Sequence, residues 1–266
     1  MRHPEHDAVA TTVRGWFTES APEMGYHKEQ RRFGVYGRHA NAGDEVLIRQ
    51  LAPSEVGAFL ADVRDYFGGA PVRLYIEDRA LDTQLRSALL DHECALEEAQ
   101  SYLAHVGPLP TAAPPPALTL EDVTPATLET WAITKLQAFA NSDAPPDHEA
   151  IVSQAALRGQ EMTDVGRLRL ARVAGDPAAI LGWYEDNDRF IYNLATRVPY
   201  RNRGIARYLL CDFLAESQTR AARSVIINAD TAGTSITLYR RLGFNDEVYW
   251  RVKYLYAPQT SSAATS

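Results

Sequence analysis

The stretch that decides the fold is Arg201-Asn202-Arg203-Gly204-Ile205-Ala206. Residues 189–196, which precede it, are predominantly apolar and predict a buried strand. Residues 204–219, which begin inside it, repeat apolar side chains at helical spacing and predict an amphipathic helix. The stretch is therefore a connection between a strand and a helix, and the rest of the fold can be built outward from it.

The composition of this connection is that of an anion site. The backbone N–H groups that open a helix have no intrahelical acceptors and carry partial positive charge, so they attract phosphates. Gly204 and Ala206 leave the backbone uncovered. Four arginines fall within eleven residues here, namely Arg197, Arg201, Arg203 and Arg207. A solvated basic face is the alternative that composition alone leaves open.

Around the connection, the apolar patterns predict the element order β-α-α-β-β-β-α-β-α-β. The predicted strands cover residues 117–123, 167–173, 178–185, 189–196, 224–229 and 249–256, and the predicted helices cover residues 128–139, 147–159, 204–219 and 234–242. Thr124-Pro125 is a predicted N-cap followed by proline. The helix from Gly204 should join the strands at Tyr192 and Ile226 by a parallel crossover.

A proline-rich segment divides the chain near its middle. Residues 108–116 hold five prolines, which neither a helix interior nor a central strand accommodates, and they predict a linker. The expected organisation is an N-terminal α/β lobe over residues 1–107, a C-terminal domain over residues 117–257 and a disordered tail over residues 258–266. In the lobe, Val9 to Phe17 have helical spacing, and residues 41–44 suggest a turn.

Composition narrows the class of protein. The chain has 266 residues, a hydrophobic fraction of 45% and a net charge of −7, so a general nucleic-acid binder is not expected. No apolar run is long enough for a membrane helix, and no secretory leader is visible, which favours the cytoplasm. Cys94 and Cys211 are expected to be buried packing thiols. The histidines lack metal-ligand spacing, so no metal is expected.

Two segments resemble the GNAT superfamily of acyl-CoA-dependent N-acyltransferases. Residues 194–206 resemble its acyl-CoA signature, Arg/Gln-x-x-Gly-x-Gly/Ala after a strand. Residues 235–244 resemble its downstream helix, in which a tyrosine is followed by Leu-Gly-Phe. The resemblance covers about residues 117–256. It implies an α/β (α+β) fold with a mixed, mostly antiparallel twisted sheet, flanking helices and a splayed parallel strand pair, here preceded by a smaller α/β lobe.

The resemblance also implies a site for acetyl-CoA as acyl donor. The coenzyme A pyrophosphate would be held by Arg201, Asn202, Arg203, Gly204, Ile205 and Ala206. Backbone groups of Leu194, Ala195 and Thr196 would hold the pantetheine and the thioester carbonyl. Tyr239 would protonate the departing thiolate, although its neighbours Ile236 and Leu242 also allow simple core packing. Where the family often has an asparagine seven residues before this tyrosine, the chain has Ala232, and Asn228 or Asp230 are the candidate substitutes.

The base that would deprotonate the amine is not identified by sequence. Glu185 is the weak candidate; with Asp186 it ends a strand next to the expected acceptor cleft. Glu161, a further carboxylate, precedes the first central strand, and each of the three also suits a turn or surface position. An amine of modest pKa can instead lose its proton to water. Trp131, Trp183 and Trp250 are expected in the core.

The function implied is N-acetylation of a primary amine by direct attack, on a small amine, an amino sugar or antibiotic, or a peptide N-terminus. A non-catalytic acyl-CoA-binding regulatory module and transfer of a longer acyl or aminoacyl group are the alternatives. The element order of residues 70–106 matches the last elements of the C-terminal domain but follows no Arg-x-x-Gly-x-Gly loop. The N-terminal lobe is therefore expected to be a degenerate GNAT-like lobe, with an unrelated α/β cap as the alternative. Oligomeric state is open between monomer and homodimer.

Overall fold

The computed structural model of the chain describes residues 27–38, 43–163 and 166–258. The predicted helix over residues 9–17, half of the predicted turn at 41–44 and nearly all of the tail lie outside these ranges. Contacts divide the chain into two compact units. Of the described residues, unit 1 holds 27–102, 229–233 and 247–258, and unit 2 holds 103–228 and 234–246.

Among the described residues, the first part of the chain forms five strands and two helices. They are β1 (His27–Gln30), β2 (Gly34–Arg38), β3 (Asp44–Ile48), α1 (Val56–Phe67), β4 (Val72–Ile76), α2 (Arg79–Asp91) and β5 (Ala95–His105). A single turn of 3-10 helix, Pro53–Glu55, precedes α1. β5 is a long strand that runs from Ala95 to His105.

The second part of the chain forms the remaining elements. They are β6 (Leu118–Asp122), α3 (Leu128–Phe139), α4 (His148–Thr163), β7 (Gly166–Val173), β8 (Asp176–Glu185), β9 (Arg189–Thr196), α5 (Ile205–Thr219), β10 (Val225–Asp230), α6 (Ser235–Arg241) and β11 (Phe244–Tyr256). The predicted order of elements is confirmed. Thr124-Pro125 does not open α3, because the helix starts at Leu128 with Thr127 as its N-cap and the Thr127 hydroxyl accepts from the Thr124 N–H.

Unit 1 is built on a mixed sheet with one parallel crossover. β1, β2 and β3 pair antiparallel, β3 and β4 pair parallel across α1, and β4 pairs antiparallel with β11. The apolar face of α1 is buried against this sheet. Its members are Val56, Phe59, Leu60, Val63 and Phe67.

The last strand groups with unit 1 rather than with the neighbours that precede it in sequence. Residues Val252–Tyr256 of β11 pair with β4, and Trp250, Val252 and Tyr254 are part of the unit 1 core. The structural division therefore differs from the predicted boundary at residue 257. The pairing of β11 with β4 cannot be predicted from the sequence, because the apolar pattern of a strand does not specify which strand it pairs with.

Unit 2 is a sheet with helices on both faces. β6, β7, β8 and β9 pair antiparallel in that order, and β9 pairs parallel with β10 across α5. One face packs against α3, with Trp131, Leu168 and Ile180 in its core. The other face packs against α5, with Ala171, Ala179 and Leu209 in its core. The predicted parallel crossover through α5 is confirmed.

Candidate acyl-donor site

The parallel strands β9 and β10 separate before either one ends. Their paired positions are Arg189 with Val225, Phe190 with Ile226 and Ile191 with Ile227. Beyond Ile191, β9 continues to Thr196, while β10 continues to Asp230, with no further pairing between them. The predicted splay of this strand pair is confirmed. The backbone of residues 193–196 is therefore released from β10 and available to an extended ligand.

A β-bulge lies where the strands part. On β8, Gly182 pairs with Asn193, whereas the next residue, Trp183, pairs with Ile191. Tyr192 is thus an extra residue on β9 that the register with β8 skips. A bulge bends the strand and increases its local twist. It therefore gives a local cause for the departure of β9 from β10.

The side chain of Arg201 holds the loop that follows β9. Its Nε donates to the carbonyl of Thr196 at 2.9 Å, and its Nη2 donates to the carbonyl of Ala138 at 2.8 Å. These bonds tie the loop to the end of β9 and to the end of α3. The Arg201 guanidinium therefore binds backbone carbonyls of the protein and positions the loop.

The start of α5 presents an exposed backbone. Gly204 is its N-cap residue, with φ of 80°, and Asn202 also has a positive φ, 60°. A Cβ on Gly204 would meet nothing within 4 Å. Within the described ranges, no acceptor engages the backbone N–H groups of residues 202–207. Bare N–H groups at a helix start favour a phosphate.

Arg203 supplies positive charge beside this helix start. Its guanidinium lies 5.4 Å from the centre of the Tyr200 ring, in a cation–π contact, and the side chain is exposed. No carboxylate of the described residues pairs with it. Arg197, by contrast, is paired with Asp143 at 3.1 Å. Of these two arginines, Arg203 is the one placed to pair with an anion.

Tyr239 is the buried residue of α6. It is 6% exposed and packs against Phe244, with ring centres 6.3 Å apart. Burial raises the pKa of its phenol to about 12, and a hydrogen bond from Ser235 opposes that rise. The phenol is therefore protonated at neutral pH and able to donate a proton. Ser235, one helical turn earlier, is a contact that the sequence analysis does not single out.

The structure places Glu185 away from this loop. Glu185 pairs with Arg189, the first residue of β9, whereas the loop follows the last residue of that strand. Eight residues of strand span roughly 25 Å. Burial would raise the pKa of Glu185, but ion pairs with Arg189 and Arg220 and a hydrogen bond from Trp183 outweigh it, so its pKa is lowered. These ion pairs hold the carboxylate in structural contacts, which argues against Glu185 as the amine base.

The other carboxylates and the asparagine named from sequence have different places. Asp186 follows Glu185 and is exposed, and the side chain of Glu161 lies outside the description. Asp230 accepts the N–H of Ala232 at 2.9 Å, so its carboxylate closes the turn before α6. Asn228 comes directly after Ile227, at the point where β10 leaves β9.

Several predicted core positions are confirmed. Trp131, Trp183 and Trp250 are buried, as are the free thiols of Cys94 and Cys211. Burial raises the pKa of both thiols. In the part of the chain that the structure describes, no group of three or more metal-ligating side chains occurs. No helix there is long and apolar enough to cross a membrane.

The comparisons with known proteins identify the fold. No protein-family model and no curated protein matches the chain. A GCN5-related N-acetyltransferase from Kribbella flavida superimposes with a TM-score of 0.60 and 16% identity, covering 96% of each chain. One from Sphaerobacter thermophilus has a TM-score of 0.56 and 20% identity, covering 87% of this chain and 75% of the other.

A third solved structure has a similar fold. It is a tandem GNAT protein from the clavulanic acid biosynthesis pathway, with a TM-score of 0.61 and 13% identity, covering 97% of this chain and 89% of the other. At these identities the likeness is one of fold. The chain has the GNAT fold, and the predicted fold class is confirmed.

Proposed function

We propose that the protein is an acetyl-CoA-dependent N-acetyltransferase that acts on a primary amine. The observation that carries this proposal is the combination of released strand and bare helix start. β9 leaves β10 after Ile191 and runs directly into a loop whose N–H groups have no acceptor among the described residues. An extended donor with a diphosphate at one end matches both features.

The donor would be held along one line. The pyrophosphate would contact the N–H groups of residues 202–206 and the guanidinium of Arg203, in the field of the α5 N-terminus. The pantetheine would pair with the released backbone of Leu194, Ala195 and Thr196. Arg201 would act through the loop that it holds. The shape of Gly204, with open space at its missing side chain, fits the close approach of a phosphate.

The reaction would be direct acyl transfer. The amine nitrogen attacks the thioester carbonyl carbon, so that a C–N bond forms and the C–S bond breaks. A backbone N–H of the released strand would stabilise the developing oxyanion. The coenzyme A thiolate takes its proton from Tyr239, and the amine loses its proton to water. No covalent intermediate on the protein is required.

Unit 1 is proposed to be a GNAT-like lobe without donor chemistry. Its strands and helices follow the order β-β-β-α-β-α, which is also the order from β7 to α6 in unit 2. Its crossover lacks both donor features, since β3 and β4 remain paired to the ends of both strands, Ile48 and Ile76, and the loop has no arginine–glycine signature.

The test is release of free thiol from acetyl-CoA in the presence of a panel of amines, beside calorimetry with coenzyme A. Small amines, amino sugars and peptides with free N-termini form the panel. Activity that is lost in Tyr239→Phe and Arg203→Glu supports the enzyme. Absence of coenzyme A binding to the wild-type protein would refute the proposal.

Tight coenzyme A binding without transfer to any amine would instead favour the acyl-CoA-binding module. This second candidate is retained because Glu185, the weak candidate base, is held in ion pairs with Arg189 and Arg220. A panel of acyl-CoA donors with longer chains, used with the same amines, separates acetyl transfer from transfer of larger groups.

A further inference from the structure

The bulged residue Tyr192 is held in place by its neighbours. Its ring lies across Gly182 of β8, where an added Cβ would be 3.1 Å from Cζ and 3.2 Å from the hydroxyl oxygen of the tyrosine. Only a glycine leaves this space open without a shift of the ring. The fit therefore depends on the absence of a side chain at position 182.

Two further contacts complete the arrangement. The Tyr192 ring stacks on Tyr184 with centres 4.4 Å apart and an angle of 20° between the planes. The guanidinium of Arg158, from α4, lies 5.1 Å from the centre of the Tyr192 ring. We call the four residues Gly182, Tyr184, Tyr192 and Arg158 the tyrosine clamp. Stacked aromatic pairs and cation–π contacts each add to the apolar burial of a ring.

The clamp acts at the position where the strands part. Ile191 is the last residue of β9 that pairs with β10, and Tyr192 follows it. Ile191 and Ile227, the last pair, are both fully buried, so apolar side chains close the slot behind this point. A bulge can shift along a strand unless side chains fix its register. The clamp supplies that restraint through the side chain of the extra residue.

We propose that the tyrosine clamp fixes the closed end of the acyl-donor slot and thereby limits the donor to short acyl groups. This inference rests on the proposed function. Tyr192 and Gly182 are positioning residues, since they act through the backbone of β9. With the bulge locked at Tyr192, the depth of the slot is constant, and each added methylene of the acyl chain must displace buried side chains.

The experiment compares donor use by clamp variants and a matched control. The donors are acetyl-, butanoyl- and hexanoyl-CoA, and kcat and KM are measured with an accepted amine, alongside coenzyme A affinity and thermal stability. The variants are Gly182→Ala, Tyr192→Leu, Tyr192→Phe and the double variant Gly182→Ala/Tyr192→Leu. The control is Gly159→Ala on α4, where a Cβ would make an ordinary 3.4 Å contact with Leu128.

The expected results separate positioning from packing. Gly182→Ala moves the Tyr192 ring by a few tenths of an ångström and should lower kcat/KM for acetyl-CoA about tenfold. Tyr192→Leu frees the bulge and should shift donor preference toward butanoyl-CoA by about tenfold. Tyr192→Phe keeps the ring and should retain wild-type preference. The double variant should behave as Tyr192→Leu alone. The methyl group added at position 182 acts by displacing the Tyr192 ring, and the double variant has no such ring.

Two outcomes would overturn the inference. If Gly182→Ala and Tyr192→Leu lower thermal stability but leave acyl preference and coenzyme A affinity unchanged, the clamp only packs the sheet. If Gly159→Ala shifts acyl preference as much as they do, the effect is not specific to the clamp. In both cases coenzyme A still binds, which distinguishes failure of the clamp from failure of the proposed function.

Discussion

Two parallel crossovers in this chain share a topology and differ in what their connections expose. In unit 1, β3 and β4 pair over five positions, from Asp44 with Val72 to Ile48 with Ile76, and the strands end together. In unit 2, β9 and β10 pair over three positions and then part. The strand–helix–strand order alone therefore creates no slot. A slot forms where two parallel strands stop pairing before they end.

The helices of the two crossovers also begin differently. Before α1, a carboxylate oxygen of Glu55 accepts the N–H of Ala52 at 3.2 Å, so an acidic side chain occupies the helix start. Before α5, Gly204 places no side chain there, and arginine stands on either side of Asn202. A carboxylate repels a phosphate, whereas bare N–H groups and arginine attract it. This difference supports the proposed donor site at the crossover of unit 2 and disfavours one at the crossover of unit 1.

The largest effect is expected for Tyr239, the proposed proton donor in unit 2, and a buried tyrosine of unit 1 provides the comparison. Tyr239→Phe should lower kcat about 100-fold without changing coenzyme A affinity, because only the departing thiolate loses its proton source. Since the pKa of Tyr239 is raised to about 12, the wild-type rate should show no loss from its ionisation below about pH 11. Steady-state kinetics measure the fall in kcat, and a pH profile of the wild-type rate tests the absence of loss below that pH.

Tyr254→Phe is the matched control for Tyr239→Phe. Tyr254 is also fully buried and donates its hydroxyl hydrogen bond to Asp82, but it belongs to unit 1. Its removal should lower thermal stability and leave kcat unchanged. An equal fall of kcat in both variants would show that Tyr239 supports the fold rather than the reaction.

The next effect concerns the glycine at the start of α5. Gly204→Ala should weaken coenzyme A binding about tenfold, measured by calorimetry, because a Cβ would crowd the approaching phosphate. Gly68→Ala at the end of α1 is the control, since Gly68 also has a positive φ, 67°, and open space around it. Both variants should lose about 1 kcal/mol of stability through backbone strain. Equal coenzyme A affinity in both would contradict the assignment.

A smaller effect is expected at the flanking arginine. Arg203→Gln should weaken coenzyme A binding about fivefold, and the loss should shrink as salt rises, because an exposed charge is screened. Arg32→Gln is the control: Arg32 is also exposed and lies over an aromatic ring, Phe33, at 4.8 Å, but in unit 1. Calorimetry at low and high salt makes the measurement. A loss that does not depend on salt would point away from a charge contact.

The smallest effect on catalysis is expected at Glu185. Glu185→Gln should leave kcat unchanged and lower the free energy of unfolding at pH 7 by about 1 kcal/mol, after allowance for solvent screening. The folded-state pKa of Glu185 is lowered, so its contribution is present above the ordinary pKa and is lost as pH falls through the folded value. Denaturant unfolding at pH 7 and pH 3 should show the difference shrinking. A large fall in kcat would restore Glu185 as a base.

The sequence predicts unit 2 well because its signals are local. The connection from Arg201 to Ala206 combines glycine, arginine and a change from strand to helix periodicity, and each can be read without tertiary contacts. The splay follows from the family resemblance and is confirmed. The glycine in the middle of β8, Gly182, is a readable signal of close approach, but only the structure shows that Tyr192 is what approaches.

What the sequence does not predict depends on long-range pairing. The membership of β11 in unit 1 joins residues far apart in the chain, and alternation of apolar residues fits many partners. The role of Arg201 as a tie to Thr196 and Ala138 is equally invisible, since composition marks it only as a positive charge. Glu185 is a candidate from sequence because it ends a strand, and the sequence does not show that Arg189 and Arg220 hold its carboxylate in ion pairs.

The membership of β11 in unit 1 also has a consequence for how the protein is made. A ribosome that has synthesised residues 27–105 has not yet supplied the strand that borders β4, nor the core side chains Trp250, Val252 and Tyr254. The nascent first half therefore waits with an open sheet edge until translation reaches residue 256. A truncated gene product that stops before β11 should expose that edge and aggregate.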